Sequence, residues 1–521
     1  MKCMKYAVWL LLALLTGPAT VRSEDEQAES ESKKETPAKP IPEPKSFTSR
    51  HSGRFGGQSV SYTATAGEIY LKDDQGEPEA SIFSFAYVQD EVADPAARPV
   101  TFLWNGGPGS SSVWLHMGSM GPKRVVVPSD ARDDGAPPYP VEDNPLALLD
   151  LTDLVFVDPV GTGFSHALGK HENKEFWGLK PDADSIAEFI QIWLTRNRRW
   201  QSPKYLAGES FGTMRAAAVA AQLEGRGTPI SLSGLILISQ ALDYTGSTPE
   251  HDNLIAFVAY LPTMAATAWY HRKVEDRPES LATFLEQARD FAVQEYAPAL
   301  FQGSRLDPKA RERVRRRLAH FTGLSEAYLE RADLRILAGR FLKELLRDQG
   351  LAVGRLDGRY TGDDVDDAAE LPDGDPSSYG IDSAYAAGLS DYMAAELKVA
   401  MDRDYKFSGG RELGKNWNWR TAPEGEYWEP SYVNVARDLS RALRRNRGLR
   451  VLVASGTYDF ATPFFDAELT FARHGILPQR VTMTYYEAGH MMYLHRPSLD
   501  RLMADIRAFI RGAESELPQT P

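Results

Sequence analysis

Apolar and polar positions divide this chain into stretches of different period. Gln58 to Thr65, Glu68 to Leu71 and Ala80 to Gln89 alternate apolar with polar residues, and Asp73-Asp74-Gln75-Gly76 lies between as a turn. That pattern predicts an antiparallel opening to a sheet. Unbroken apolar strands follow at Pro99 to Trp104, Leu151 to Asp158, Lys204 to Ala207 and Leu232 to Ser239. The first three run into glycine-containing loops, and helix-prone segments occupy Asp182 to Asn197 and Thr213 to Leu223. Strand, glycine loop and helix in repetition predict a mainly parallel central sheet flanked by helices. Ile255 to Tyr270, Ser280 to Tyr296, Pro308 to Phe321 and Ser325 to Asp348 then show helical period with no strand between them, which predicts an inserted, mainly helical cap over 245–395. Strand signal returns at Leu397 to Met401, Leu449 to Ser455 and Arg480 to Glu487, and Ser498 to Arg511 reads as a closing helix. The sheet domain is thus expected in two parts, 47–244 and 396–511, with 512–521 as a frayed tail.

The N-terminus stands outside this plan. Lys2 and Lys5 precede the apolar run Ala7 to Leu15, and small residues follow near Ala19 and Ser23. The run is too short to span a bilayer, so residues 1–23 read as a secretory signal peptide. Residues 24–46, rich in Glu, Ser, Lys and Pro, read as a disordered linker. Cys3 is the only cysteine, so the exported protein would carry no disulfide, thiol nucleophile or cysteine metal site. A periplasmic or secreted bacterial setting fits that better than a eukaryotic secretory one. Removing the signal takes away Lys2, Lys5 and Arg22 and no acid, which moves the formal charge from −13 to about −16. Such a balance argues against nucleic acid and anionic lipid as partners and favours solubility. No His, Asp and Glu spacing suits a metal, and no cofactor is expected. The acidic run Asp363 to Asp367 departs from the EF-hand pattern.

The stretch that carries chemistry is Lys204-Tyr205-Leu206-Ala207-Gly208-Glu209-Ser210-Phe211-Gly212. A strand, Gly-x-Ser-x-Gly and a helix form the nucleophile elbow of α/β-hydrolases, with Ser210 at the apex. The alternative is an ordinary glycine-flanked turn. A second glycine loop, Asn105-Gly106-Gly107-Pro108-Gly109, follows Trp104. It lacks the lysine of a phosphate loop, and its N–H groups suit an oxyanion: Gly107 and Phe211 are the expected donors. The acid is expected at a late strand end, at Asp459, with Asp466 as fallback. The base is expected after the acid, at His490 in Glu487-Ala488-Gly489-His490-Met491, with His495 as rival. The order Ser, Asp, His is that of α/β-hydrolases.

With these motifs the chain resembles the serine carboxypeptidases. The resemblance rests on Asn105-Gly106-Gly107-Pro108-Gly109-x-Ser111-Ser112, Gly121-Pro122, Asn144-Pro145, Asp158 to Ser165, Gly208-Glu209-Ser210-Phe211-Gly212, Gly456-x-x-Asp459 and Gly489-His490-Met491. It implies an α/β-hydrolase that removes residues from peptide and protein C-termini through an acyl-enzyme on Ser210. His490 would be the general base and then acid, with Asp459 orienting it. The resemblance also implies that Asn105, Gly106 and Glu209 hold the free C-terminal carboxylate. A second acid of that subsite is expected two residues before Gly121, where this chain has Ser119. Two other readings remain open: another acyl-transfer enzyme on the same scaffold, such as an esterase, acyltransferase or aminopeptidase, and a non-catalytic secreted binding protein.

Overall fold

The computed structural model describes residues 41–132, 136–379, 381–422, 425–429 and 432–512. The expected signal peptide, most of the expected linker and nearly all of the expected tail lie outside them. Three long antiparallel strands open the sheet: β1 (Ser46–Phe55), β2 (Gln58–Lys72) and β3 (Pro78–Gln89). Gly76 N donates to Asp73 O at 2.8 Å in the turn between the last two. β1 falls partly in the stretch read as linker, because its side chains are mostly polar and alternate between exposed and half-buried. Its pairing with β2 along its whole length defines it instead. Residues just before it also touch β2: Lys45 N donates to Glu68 Oε2 at 2.8 Å, and Tyr70 OH donates to Pro42 O at 3.0 Å.

Six further strands continue the sheet: β4 (Val100–Trp104), β5 (Asp153–Asp158), β6 (Lys204–Glu209), β7 (Gly234–Ile238), β8 (Arg450–Gly456) and β9 (Val481–Tyr486). Their order is β1-β2-β3-β5-β4-β6-β7-β8-β9, and every pairing from β5 onward is parallel. β4 to β7 are buried at every position, as unbroken apolar runs require of strands covered on both faces. One face is covered by helices Leu179–Arg196, Phe211–Gly225 and Ala436–Arg445, and the other by Arg496–Arg511 and Asp382–Ala395. From β4 the chain steps one way to β5 and then crosses back past β4 to β6 on its other side. A ligand crevice belongs at the C-terminal ends of strands at such a switch point, and both glycine loops leave the sheet there.

Between β7 and β8 the helices Leu254–Tyr270, Leu281–Phe291 and Pro308–Thr322 build a third apolar cluster, which also includes Tyr458, Phe460, Phe464 and Phe465. Three details depart from the sequence reading. The segment 325–348 is two short helices, Glu326–Arg331 and Ala338–Glu344, because Asp333 and Leu334 take positive φ and break the spiral. The region also holds a hairpin, Leu351–Val353 with Thr361–Asp363. Leu397 to Met401 is not a strand: Lys398 has φ 56°, and Val399 N turns back to Met393 O at 3.0 Å. Among the described residues no helix is long and apolar enough to cross a membrane.

Candidate active site

Ser210 sits between β6 and the helix Phe211–Gly225 with φ 60° and ψ −131°, a strained conformation for a residue with a side chain. The flanking glycines make the turn possible. A Cβ at Gly208 would lie 2.1 Å from Gly212 O, and one at Gly212 would lie 2.9 Å from Asn105 O. Ser210 N donates to Ile238 O at 2.9 Å, which ties the apex to β7. Two further bonds join the elbow to the β4 loop: Trp104 Nε1 to Gly212 O at 2.8 Å and Arg215 Nη1 to Asn105 O at 2.7 Å. Arg215 is itself held by Asp182 at 2.6 Å, both buried.

The β4 loop then lies directly over the elbow. A Cβ on Gly106 would be 2.6 Å from Phe211 N and 2.8 Å from Ser210 Cβ, so only glycine fits. Gly107 has φ 104°. Among the described residues, neither the Gly107 nor the Phe211 N–H donates to a loop, turn or cap carbonyl. The Phe211 side chain is fully buried against Trp417. Asp158, at the end of β5, holds the loop's far end by accepting from Ser112 N at 2.8 Å, Ser112 Oγ at 2.7 Å and Tyr405 OH at 2.9 Å. Burial pushes the Asp158 carboxyl up to about 6 against those three donors.

Asp459 follows β8 and is fully buried. Its Oδ1 accepts from Ala461 N at 2.7 Å and Thr462 N at 3.0 Å, and its Oδ2 accepts from Thr462 Oγ1 at 2.7 Å. The same Oδ2 lies 2.7 Å from His490 Nδ1. Burial alone would lower the His490 pKa, but the Asp459 carboxylate and its hydrogen bond, helped by Glu209, raise it above the ordinary histidine value. Ser210 and His490 face one cavity of about 880 Å³, and the Ser210 hydroxyl is in none of the hydrogen bonds among the described residues. A resting serine is often not engaged by its base until substrate arrives.

Asn105 and Glu209 meet at the same cavity: Asn105 Nδ2 donates to Glu209 Oε1 at 2.9 Å, while Asn105 Oδ1 accepts from Leu115 N at 3.0 Å. Glu209 Oε2 is buried without a hydrogen-bond partner. Burial pushes the Glu209 carboxyl up to about 7, opposed by the charge of His490 and by the nearby Tyr493 hydroxyl and Asn105 amide. Ser119 is fully buried, its hydroxyl donates to Leu115 O at 3.3 Å, and its carbonyl accepts from Asn144 Nδ2 at 2.7 Å. The fallback and rival residues lie elsewhere. Asp466 is within the helix Phe464–Arg473, and His495 Nδ1 pairs with Ser498 Oγ at 2.8 Å. Sequence reasoning missed Tyr493, Trp114 and Arg355. Arg355 stands exposed at the cavity, and no hydrogen bond or ion pair of its guanidinium occurs among the described residues.

The sheet order and the elbow define an α/β-hydrolase fold. Residues 58–290 match the family model described as serine carboxypeptidase. The chain is 27% identical over 176 residues to a serine carboxypeptidase-like protein of Arabidopsis thaliana, a segment covering 32% of this chain and 38% of that relative. It is 30% identical over 169 residues to a pheromone-processing carboxypeptidase of Leptosphaeria maculans, covering 31% and 24%. The matched segments thus span well under half of these curated relatives. In fold, the chain is similar to a prohormone-processing carboxypeptidase of Saccharomyces cerevisiae, with TM-score 0.54 and 17% identity over 86% of this chain and 91% of the other.

Proposed function

We propose that this protein is a serine-type carboxypeptidase that cleaves C-terminal peptide bonds through an acyl-enzyme on Ser210. The observation that carries the reading is the 2.7 Å contact of Asp459 Oδ2 with His490 Nδ1, at a cavity that also contains a strained elbow serine. The Ser210 Oγ attacks the scissile carbonyl as its proton passes to His490 Nε2. Asp459 holds the opposite nitrogen and stabilises the imidazolium. The Gly107 and Phe211 N–H groups receive the oxyanion. The imidazolium then protonates the leaving amine, and water repeats the sequence on the ester.

Asn105, Gly106 and a protonated Glu209 would hold the C-terminal carboxylate. A carboxylic acid can donate to a carboxylate, whereas two anions at that distance repel. With Ser119 where a second acid was expected, the site needs one protonation rather than two, and Glu209 supplies it near neutral pH. We also infer export, from the charged and apolar pattern of residues 1–23, with peptide or protein C-termini as substrates. A blocked dipeptide with a free C-terminus, assayed beside its amide and its ester with Ser210→Ala as control, tests the reading. Preference for the free acid supports it. Turnover of the ester alone would favour an esterase or acyltransferase.

A further inference from the structure

The hairpin Leu351–Val353 and Thr361–Asp363 ends in a tip, 354–360, lodged between the two loops that carry Asp459 and His490. On the acid's side, Phe460 N donates to Arg355 O at 3.0 Å and Gly358 N donates to Tyr458 O at 2.9 Å. On the base's side, His490 N donates to Leu356 O at 2.6 Å. Gly489 N donates to Asp357 Oδ2 at 2.9 Å, and Arg359 Nη1 donates to Glu487 O at 3.0 Å. Asp357 is buried and gripped by Arg359, with Nη2 to Oδ2 at 2.6 Å and Nε to Oδ1 at 3.0 Å. The root of the tip is fixed by Asp375, whose carboxylate accepts from Arg355 N at 2.9 Å and Leu356 N at 3.0 Å.

The fit is tight. A Cβ on Gly489 would come within 2.3 Å of Leu356 O, and one on Gly358 within 2.6 Å of Thr267 Oγ1. Among the described residues the His490 backbone has one other anchor, Ser239 Oγ donating to its carbonyl at 2.7 Å. The tip therefore supplies the His490 N–H acceptor and the acceptor for the residue before it. A displacement of about 1 Å in a reacting group can cost about a hundredfold in rate. Removing Asp357 would also leave the Gly489 N–H and Arg359 without their buried acceptor.

We propose that this tip is a positioning element for the acid–base pair, with Asp357 as its key residue. Asp357, oriented by Arg359, would fix the His490 backbone and so the place of the ring against Asp459 and Ser210. The inference rests on the reading of those three residues as catalytic. The test is steady-state kinetics on the blocked dipeptide for Asp357→Ala and Asp357→Asn, beside Ser210→Ala and His490→Ala, with folding followed by circular dichroism. Asp357→Ala should lower kcat roughly 10- to 100-fold with KM within about threefold. Asp357→Asn keeps an acceptor for Gly489 N and should recover most of that loss. If Asp357→Ala does not fold, Arg359→Lys, which keeps the charge but loses the two-point grip on Asp357, takes its place: a lowered kcat at unchanged KM supports the proposal, and wild-type kcat there overturns it. Wild-type kcat in folded Asp357→Ala, or a loss carried by KM alone, overturns this inference only, provided Ser210→Ala and His490→Ala are inactive. Wild-type turnover by either of those two would overturn the catalytic assignment and this inference with it.

Discussion

Replacing Glu209 with glutamine isolates the role proposed for its proton. Glu209 has a carboxyl pushed up to about 7 by burial, and its Oε2 has no internal partner. Its neutral form is then about one half of the population at pH 7, one tenth at pH 8 and one hundredth at pH 9. If only that form receives the substrate carboxylate, kcat/KM on a free-acid dipeptide should fall about tenfold per pH unit above 7, or about 1.4 kcal/mol per unit. In Glu209→Gln the side-chain amide stays neutral and donates an N–H at every pH, so this alkaline limb should flatten. The acid limb should change little, because the productive form already has a neutral Glu209 and the replacement takes no charge from beside His490 in it. The dipeptide amide carries no charge to repel, so wild type should not show the alkaline limb on it. Profiles from pH 5 to 9 on both substrates give the answer. Parallel declines above pH 7 in wild type and Glu209→Gln, with one free-acid-to-amide ratio throughout, would refute the reasoning.

Other perturbations probe separate parts of the account. The raised Glu209 pKa means that folding favours its proton, so stability is lost as pH rises from the unfolded value through about 7. Glu209→Gln should accordingly raise the melting temperature at pH 8 and leave it little changed at pH 4. Asp459→Asn should lower kcat by about 10³–10⁴ with little change in KM, read on the blocked dipeptide, because the amide cannot hold His490 as the carboxylate does. Gly106→Ala should nearly abolish activity, since its methyl would press on Phe211 N and the Ser210 Cβ; fluorophosphonate labelling rates measure this directly. Away from the site, Asp153→Ala should cost about 3–5 kcal/mol in urea unfolding. Asp153 is fully buried between Arg98, at 2.7 Å, and Arg199, and its loss strands both cations.

Much of the sheet was legible because its strands are buried on both faces. The runs ending at Trp104, Asp158 and Glu209 have no polar alternation to confuse them, and their glycine loops mark where they stop. The elbow was legible for a related reason: Gly208 and Gly212 stand where any side chain would collide. β1 was not, since Ser46 to Phe55 has little apolar content and owes its form to β2. The inserted region was read by period alone, which caught the long helices but not the Leu351–Asp363 hairpin. Its Asp357-Gly358 pair is a turn signal, yet what gives it meaning is lodging against Gly489 and Tyr458, residues more than 90 positions on. The surroundings of Glu209 were hidden in the same way, because Tyr493 reaches it only through the fold.

The most direct test of the central claim is to trap the acyl-enzyme analogue. Wild-type protein treated with a fluorophosphonate and digested for mass spectrometry should carry one adduct, on the peptide containing Ser210. Labelling should be lost in Ser210→Ala and slowed at least a hundredfold in His490→Ala. An adduct on another residue, or labelling of Ser210 that does not depend on His490, would contradict the account.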